Sequence, residues 1–133
     1  MHALKILRRH GMSQEALRIV YKAVALAKLT YAAPAWWGFA SADDRKRLEA
    51  FVRRGVQLDL YTREDPTISE LVKKLDDMLF QMILHDEAHV IHYLLPPATS
   101  ITYYMRQRRH NRQLTTKADD RNFITRKLYE DVY

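Results

Sequence analysis

There is no cysteine in this chain. That excludes a disulfide framework, a thiolate zinc site and cysteine catalysis together. Glycine and proline are scarce, at three and four residues, too few for the many tight turns of an all-β chain. Gly11, Gly38 and Gly55 stand far apart, so no Gly-rich phosphate loop exists, and no serine lies in a nucleophile-elbow pattern. No apolar run approaches the ~20 residues of a membrane span, and no signal-peptide pattern opens the chain. The expected setting is intracellular, without a membrane, cofactor or metal.

What is present is a chain of 133 residues, 47% of them apolar, enough for one domain with a core of ordinary size. The net charge of +6 is unevenly placed. Up to Asp65 there are twelve Lys/Arg against seven Asp/Glu; residues 66–97 hold two against five; residues 98–133 hold eight against four. Basic flanks around an acidic middle suit polyanionic partners.

Helix signals recur along the chain. Ala3, Leu4 and Leu7 share a face that ends at Arg8, Arg9 and His10, with Gly11 as a C-terminal cap. Ser13 is an N-cap for a helix whose stripe is Leu17, Val20, Tyr21, Val24, Ala27 and Tyr31, ended or kinked by Pro34. Ser41, with Asp43 and Asp44 just after it, opens the next helix, apolar at Leu48, Phe51 and Val52 and basic elsewhere. Gly55 leaves its end open, and 59–66 reads as a polar connection. Thr67 and Glu70 match a capping box. The helix they start carries Leu71, Leu75, Leu79 and Met82, widened by Ile68, Val72 and Phe80. Asp86 is placed to cap a further short helix through Val90, Ile91, Leu94 and Leu95, stopped by Pro96-Pro97. Residues 98–121 show no sustained period and read as an arm. Asn122 or Asp120 caps a last helix with Phe123, Ile124, Leu128 and Val132 as its apolar side; such a short helix needs something to dock on. The expected fold is all-α, an irregular bundle of about five or six helices with a basic, partly extended C-terminal tail. Its expected segments are 1–40, 41–97 and 98–133.

Three constellations invite chemistry. Asp76-Asp77 has the look of a polymerase metal pair, but such a pair needs a strand–turn–strand and a third carboxylate. Mid-helix beside Lys73 and Lys74, it reads as a solvated polar face. His85, His89 and His92 fall at i, i+4 and i+7 of the expected helix, and two histidines so spaced can hold zinc. The position after His85 is Asp86 rather than the glutamate of the metalloprotease pattern, so packed or surface histidines explain them better. The arm combines Tyr103 and Tyr104 with Arg106, Arg108, Arg109, His110 and Arg112: cations that release counterions from phosphates and rings that stack on unpaired bases. A solvated basic linker is the plain alternative.

The aromatic centre of the chain is Lys28–Phe39, which holds both tryptophans. Adjacent helical side chains diverge by ~100°, so one of Trp36 and Trp37 is expected to anchor the interior and the other to face a partner.

Several blocks together carry a resemblance. They are His10-Gly11-Met12 with Ala16-Leu17, Leu29-Thr30-Tyr31-Ala32-Ala33-Pro34-Ala35-Trp36-Trp37-Gly38-Phe39, Asp44-Arg45, Arg53-Arg54-Gly55 and Leu75-Asp76-Asp77-Met78-Leu79-Phe80. They continue through His89-Val90-Ile91-His92-Tyr93-Leu94-Leu95-Pro96-Pro97, Arg108-Arg109-His110-Asn111-Arg112-Gln113-Leu114 and Asn122-Phe123-Ile124-Thr125-Arg126-Lys127-Leu128-Tyr129. The chain resembles, over essentially its whole length, the C-terminal region of the second-open-reading-frame protein of non-LTR (LINE-type, jockey-like) retrotransposons, downstream of the reverse-transcriptase palm. It departs from that pattern at Met105 and Gln107, where leucine and proline are expected.

The resemblance implies a parent RNA-directed DNA polymerase acting in the nucleus. Residues 1 to about 40 would be thumb-like and the remainder a C-terminal extension. The catalytic Tyr-x-Asp-Asp hairpin and the endonuclease of that family lie upstream, so no catalytic residue carries over and the fragment is not expected to be an enzyme. RNA, DNA or an RNA–DNA hybrid is the implied partner, together with the upstream polymerase domain. Residues expected to contact phosphate are Arg45, Lys46, Arg53, Arg54, Arg106, Arg108, Arg109 and Arg112. Those expected to dock or stack are Trp36, Trp37, Phe39, Tyr103 and Tyr104. A helical protein-interaction module using the Trp36/Trp37 surface is the alternative.

Overall fold

The computed structural model describes residues 1–100, 109–114, 116 and 119–130. Tyr103, Tyr104, Arg106, Arg108 and Val132 lie outside the described residues. The chain is all-α. The helices are α1 (His2–Arg9), α2 (Gln14–Val20), a π-helical turn (Tyr21–Leu26), α3 (Ala27–Thr30), α4 (Ala33–Trp36), α5 (Ala42–Gln57), α6 (Ile68–His85) and α7 (Phe123–Leu128). Short 3₁₀ turns cover Trp37–Phe39 and His92–Leu94. Among the described residues the single β feature is an antiparallel bridge between Ala98 and Arg112. Two compact units emerge, one from 1–33 and 40–73, the other from 34–39 and 74–133. They cut across the expected segments, because the Trp-containing strip groups with the C-terminal part of the chain.

In the first unit the helix ends are set by local chemistry. Gly11 takes φ +87, with its N–H on Arg8 O and that of Met12 on Leu7 O, a Schellman closure of α1. The Ser13 hydroxyl accepts from the Ala16 amide at 3.2 Å and starts α2. Ser41 and Asp44 form a reciprocal capping box at α5, and Thr67 and Glu70 do the same at α6. Hydrogen bonds from the Thr67 amide and hydroxyl hold the Glu70 carboxyl below its ordinary value. The end of α5 is also a Schellman closure, with the Leu60 amide on Gly55 O and the Asp59 amide on Val56 O. Here a non-glycine residue, Asp59, takes φ +57. Arg18 Nε bonds the Asp59 carbonyl at 3.0 Å and its guanidinium pairs with the Asp59 carboxylate, which holds that conformation in place.

The core of this unit is Leu4, Leu17, Tyr21, Leu26, Val52, Leu60, Tyr61, Ile68 and Val72. Leu60 and Tyr61 come from the stretch expected to be a polar connection. The second helical stripe is corrected too: Val24 and Tyr31 are 61% and 80% exposed, whereas Leu26 is buried. The cause is the π turn, which closes its ring one residue late and rotates the inward face.

Tyr21 lies at the centre of this core, stacked on Phe51 (6.0 Å between ring centroids) and tilted against Tyr61 (5.9 Å). Tyr61 donates its hydroxyl to Pro66 O at 2.6 Å. Burial, then the Asp65 carboxylate nearby, push the Tyr61 phenol up to about 12, and burial raises Tyr21 as well. An unfolded tyrosine titrates near ~10. Because the folded value is the higher one, the stabilisation tied to the neutral phenol is complete below about pH 10 and lost as the pH rises through about 12. Helical signal monitored from pH 9 upward is therefore expected to fall across that window. Tyr61→Phe is expected to show a shallower decline; equal slopes would count against this assignment.

The second unit is built on the C-terminal half of α6. Phe80, Ile83, Leu95 and Leu128 form its core, lined by Leu79, Leu84, Ile91, Phe123, Ile124 and Tyr129. Asn122 caps α7 by accepting from the Ile124 amide (2.9 Å) and the Thr125 amide (3.4 Å). The short helix that needed a dock thus finds one on α6. The arm is tied at both ends: Thr99 N–H bonds Asn111 O at 2.7 Å and Gln113 N–H bonds Pro97 O at 3.0 Å. His110 is buried edge-on against Phe80. It donates from Nε2 to Leu128 O at 3.0 Å and accepts the Arg112 amide on Nδ1 at 3.1 Å, which requires the neutral ring.

The further helix expected after Asp86 does not form. The Asp86 carboxylate turns to the Ala88 amide at 3.0 Å, an Asx turn that competes with helical bonding. The His92 ring donates to Ile83 O at 2.6 Å, satisfying one of the last carbonyls of α6.

Candidate nucleic-acid interface

The cationic face of α5 is a product of helical geometry. Val52 and Gly55 are buried, and at ~100° per residue the opposite side carries Lys46 and Arg53 in one row and Arg47 and Arg54 in the next. All four are exposed, and Arg45 is half-buried. Each row spaces its cations at i, i+7, or ~10.5 Å along the axis. Lys46 lies 3.8 Å from Asp43 and Arg47 3.9 Å from Asp44. Exposed pairs of this kind are worth about 0–1 kcal/mol and yield readily to a polyanion. Arg54 Nε bonds Ala50 O at 3.3 Å. Arg47 was not among the residues expected to bind, although the i, i+7 register with Arg54 is visible in the sequence.

Beside the C-terminal half of α5 and the loop after it lies a cavity of about 450 Å³. Arg53 faces it from the helix and Arg63 from the loop. Residues 59–66 gave no sign of it, because a cavity forms only once Leu60 and Tyr61 turn inward.

The arm cations have a different role. Arg109 lies 3.4 Å from Asp77 and 3.8 Å from Glu130. Arg112 donates to Pro96 O at 3.2 Å. Both fasten the second unit internally. Arg106, Arg108, Tyr103 and Tyr104, the other expected contacts of the arm, lie outside the described residues.

Asp76 and Asp77 are not a solvated face, and this corrects the sequence reading. Asp76 is only 5% exposed and pairs with Arg126 at 3.0 Å. Burial raises its carboxyl above the ordinary value, and the nearby Arg126 and Lys127 charges only partly oppose this. Asp77 receives Lys127, itself buried, at 2.5 Å, and Lys127 also reaches Glu130. With Arg109, these pairs fasten α7 to α6.

Trp37 is buried at 8% exposure, whereas Trp36 is half-buried with its ring edge-on to Trp37 at 5.8 Å. Phe39 is exposed, with the Arg121 guanidinium 5.5 Å above its ring. Among the described residues no cluster of three or more His, Cys, Asp or Glu is placed to hold a metal. His85 ends α6 while His89 and His92 lie in the turns beyond it, so the three histidines share no helical face.

No family model, curated protein or solved structure matches the chain.

Proposed function

We propose that the chain is a non-catalytic piece of a non-LTR retrotransposon RNA-directed DNA polymerase that grips nucleic acid and docks on the polymerase domain upstream of it. The single observation that carries this reading is the outward face of α5, where Lys46, Arg53 and Arg54 stand exposed along one helix and Arg45 flanks them. The blocks from Leu29 to Phe39 and from Arg108 to Leu114 support the family origin, and with it a nuclear setting. The burial of Trp37 weakens the alternative of a protein-interaction module built on both tryptophans.

Fluorescence anisotropy with a labelled RNA–DNA hybrid tests the reading. Four phosphate contacts at a log–log slope of about −0.9 each predict a loss of affinity on the order of 100-fold between about 50 and 200 mM salt. Lys46→Glu with Arg53→Glu is expected to weaken binding and flatten the slope by about 2. Affinity that is absent or indifferent to salt would favour the protein-interaction alternative.

A further inference from the structure

The cavity beside α5 has a floor and a charged rim of different character. Val52, Val56 and Pro66 supply apolar surface. Arg53 and Arg63 bring two guanidiniums from opposite chain segments, both exposed. Among the described residues neither has an ion-pair or hydrogen-bond partner. Two acids also line the cavity, and both are engaged. Asp65 accepts Lys22 at 2.7 Å and the Thr62 amide at 2.9 Å, and Glu49 accepts from Ser69 at 3.4 Å. The free charge at the rim is therefore positive. Gln57 adds an amide that both donates and accepts. A volume of about 450 Å³ lies within the ~300–1,000 Å³ of small-molecule sites.

We propose that this cavity is a nucleoside monophosphate site. The base lies against Val52, Val56 and Pro66, and the phosphate sits between Arg53 and Arg63. This deepens the nucleic-acid reading and rests on it. Two unpaired guanidiniums converging on one cavity call for more than one negative charge. A phosphate monoester carries about −1.5 to −2 near neutral pH, whereas a side-chain carboxylate carries one and leaves a guanidinium unanswered. Guanidinium planes also stack on bases, and the Gln57 amide can meet a base edge, which an acidic peptide does not offer. The same chemistry is presented by a free nucleotide and by the 5′-phosphorylated end of a strand.

Isothermal titration of the full chain with AMP, adenosine and inorganic phosphate tests the site. AMP is expected to bind saturably and at least tenfold more tightly than either of the others. Arg63→Gln, a change at an exposed position that leaves the fold intact, is expected to lose tenfold or more of that affinity. Val56→Trp, which fills the floor, is expected to abolish AMP binding while leaving the salt-dependent affinity for the RNA–DNA hybrid unchanged. Failure of the site is thereby distinguishable from failure of the α5 surface. Displacement of AMP by a 5′-phosphorylated oligonucleotide but not by its 5′-hydroxyl counterpart assigns the site to strand ends; displacement by neither assigns it to free nucleotide. AMP binding no tighter than inorganic phosphate would overturn the site. So would AMP binding unchanged in Arg63→Gln, or an aspartate-rich peptide competing as well as AMP.

Discussion

Replacing Arg126 with methionine is expected to destabilise the fold by about 3 kcal/mol at neutral pH, because breaking a buried pair leaves the other charge uncompensated. Asp76 is the charge left behind, 7% exposed at its side chain. Its carboxyl is raised by burial even with Arg126 in place. The charged form is thus less favourable in the folded chain than in the unfolded one, and the ion pair does not fully offset its own desolvation. Two consequences can be measured by chemical denaturation across pH. A carboxyl with a raised folded value contributes stability that is complete below the unfolded value of ~3.9 and lost as the pH rises through the folded value. The penalty of Arg126→Met is therefore expected to grow from acid toward neutral pH. Asp76→Leu combined with Arg126→Met removes both charges, and its stability is expected to lie within about 1 kcal/mol of the parent or above it. A double variant as unstable as the single one would show that the pair stabilises the fold outright.

Gly55→Ala is the second large effect, and its sign opposes the usual helix rule. Alanine for glycine inside a helix ordinarily gains up to about 1 kcal/mol. At Gly55 an added Cβ would lie 2.7 Å from Cζ and 3.1 Å from Cε1 of the fully buried Tyr21 ring. That ring is fixed between Phe51 and Tyr61 and has no room to retreat, so a loss of about 2 kcal/mol is expected. Among the described residues the buried Tyr21 hydroxyl has no hydrogen-bond partner. Tyr21→Phe alone is therefore expected to be neutral or to stabilise by up to about 1 kcal/mol, and to recover part of the loss when combined with Gly55→Ala. Thermal or urea unfolding of the three variants checks the set. A Gly55→Ala protein more stable than the parent would refute the packing argument.

Helix starts were legible because they depend on a few adjacent residues. Ser13, Ser41, Thr67 and Asn122 cap the helices they were expected to cap. Features that depend on partners distant in sequence were not legible. Asp76 belongs to the polar side of the Leu71/Leu75/Leu79 stripe, yet the buried row of α6 runs Ile68, Val72, Asp76, Phe80 and Ile83. Arg126, fifty residues later and with Lys127 beside it, makes a carboxylate tolerable there. Asp59 ends α5 without the glycine that marks such a turn, since Arg18 supplies from afar what glycine supplies locally. In the candidate interface, the α5 cations could be read from the sequence as a helical face. Which of them lay free could not, because Arg109 and Arg112 look the same in sequence as Arg53 and differ only in what they touch.

The π turn at Tyr21–Leu26 behaves like a shifted reading frame. It holds one residue more than an α-helical count needs, and every side chain downstream is aimed according to that surplus. Deleting any one residue between Lys22 and Ala25 would remove that surplus and let the segment close as an ordinary α-helix, with Leu26 still one turn beyond Tyr21 and on the same face. Lys22, Ala23 and Val24 are exposed and free to vary in identity. A single residue can also be lost from that stretch without re-aiming the side chains that follow it.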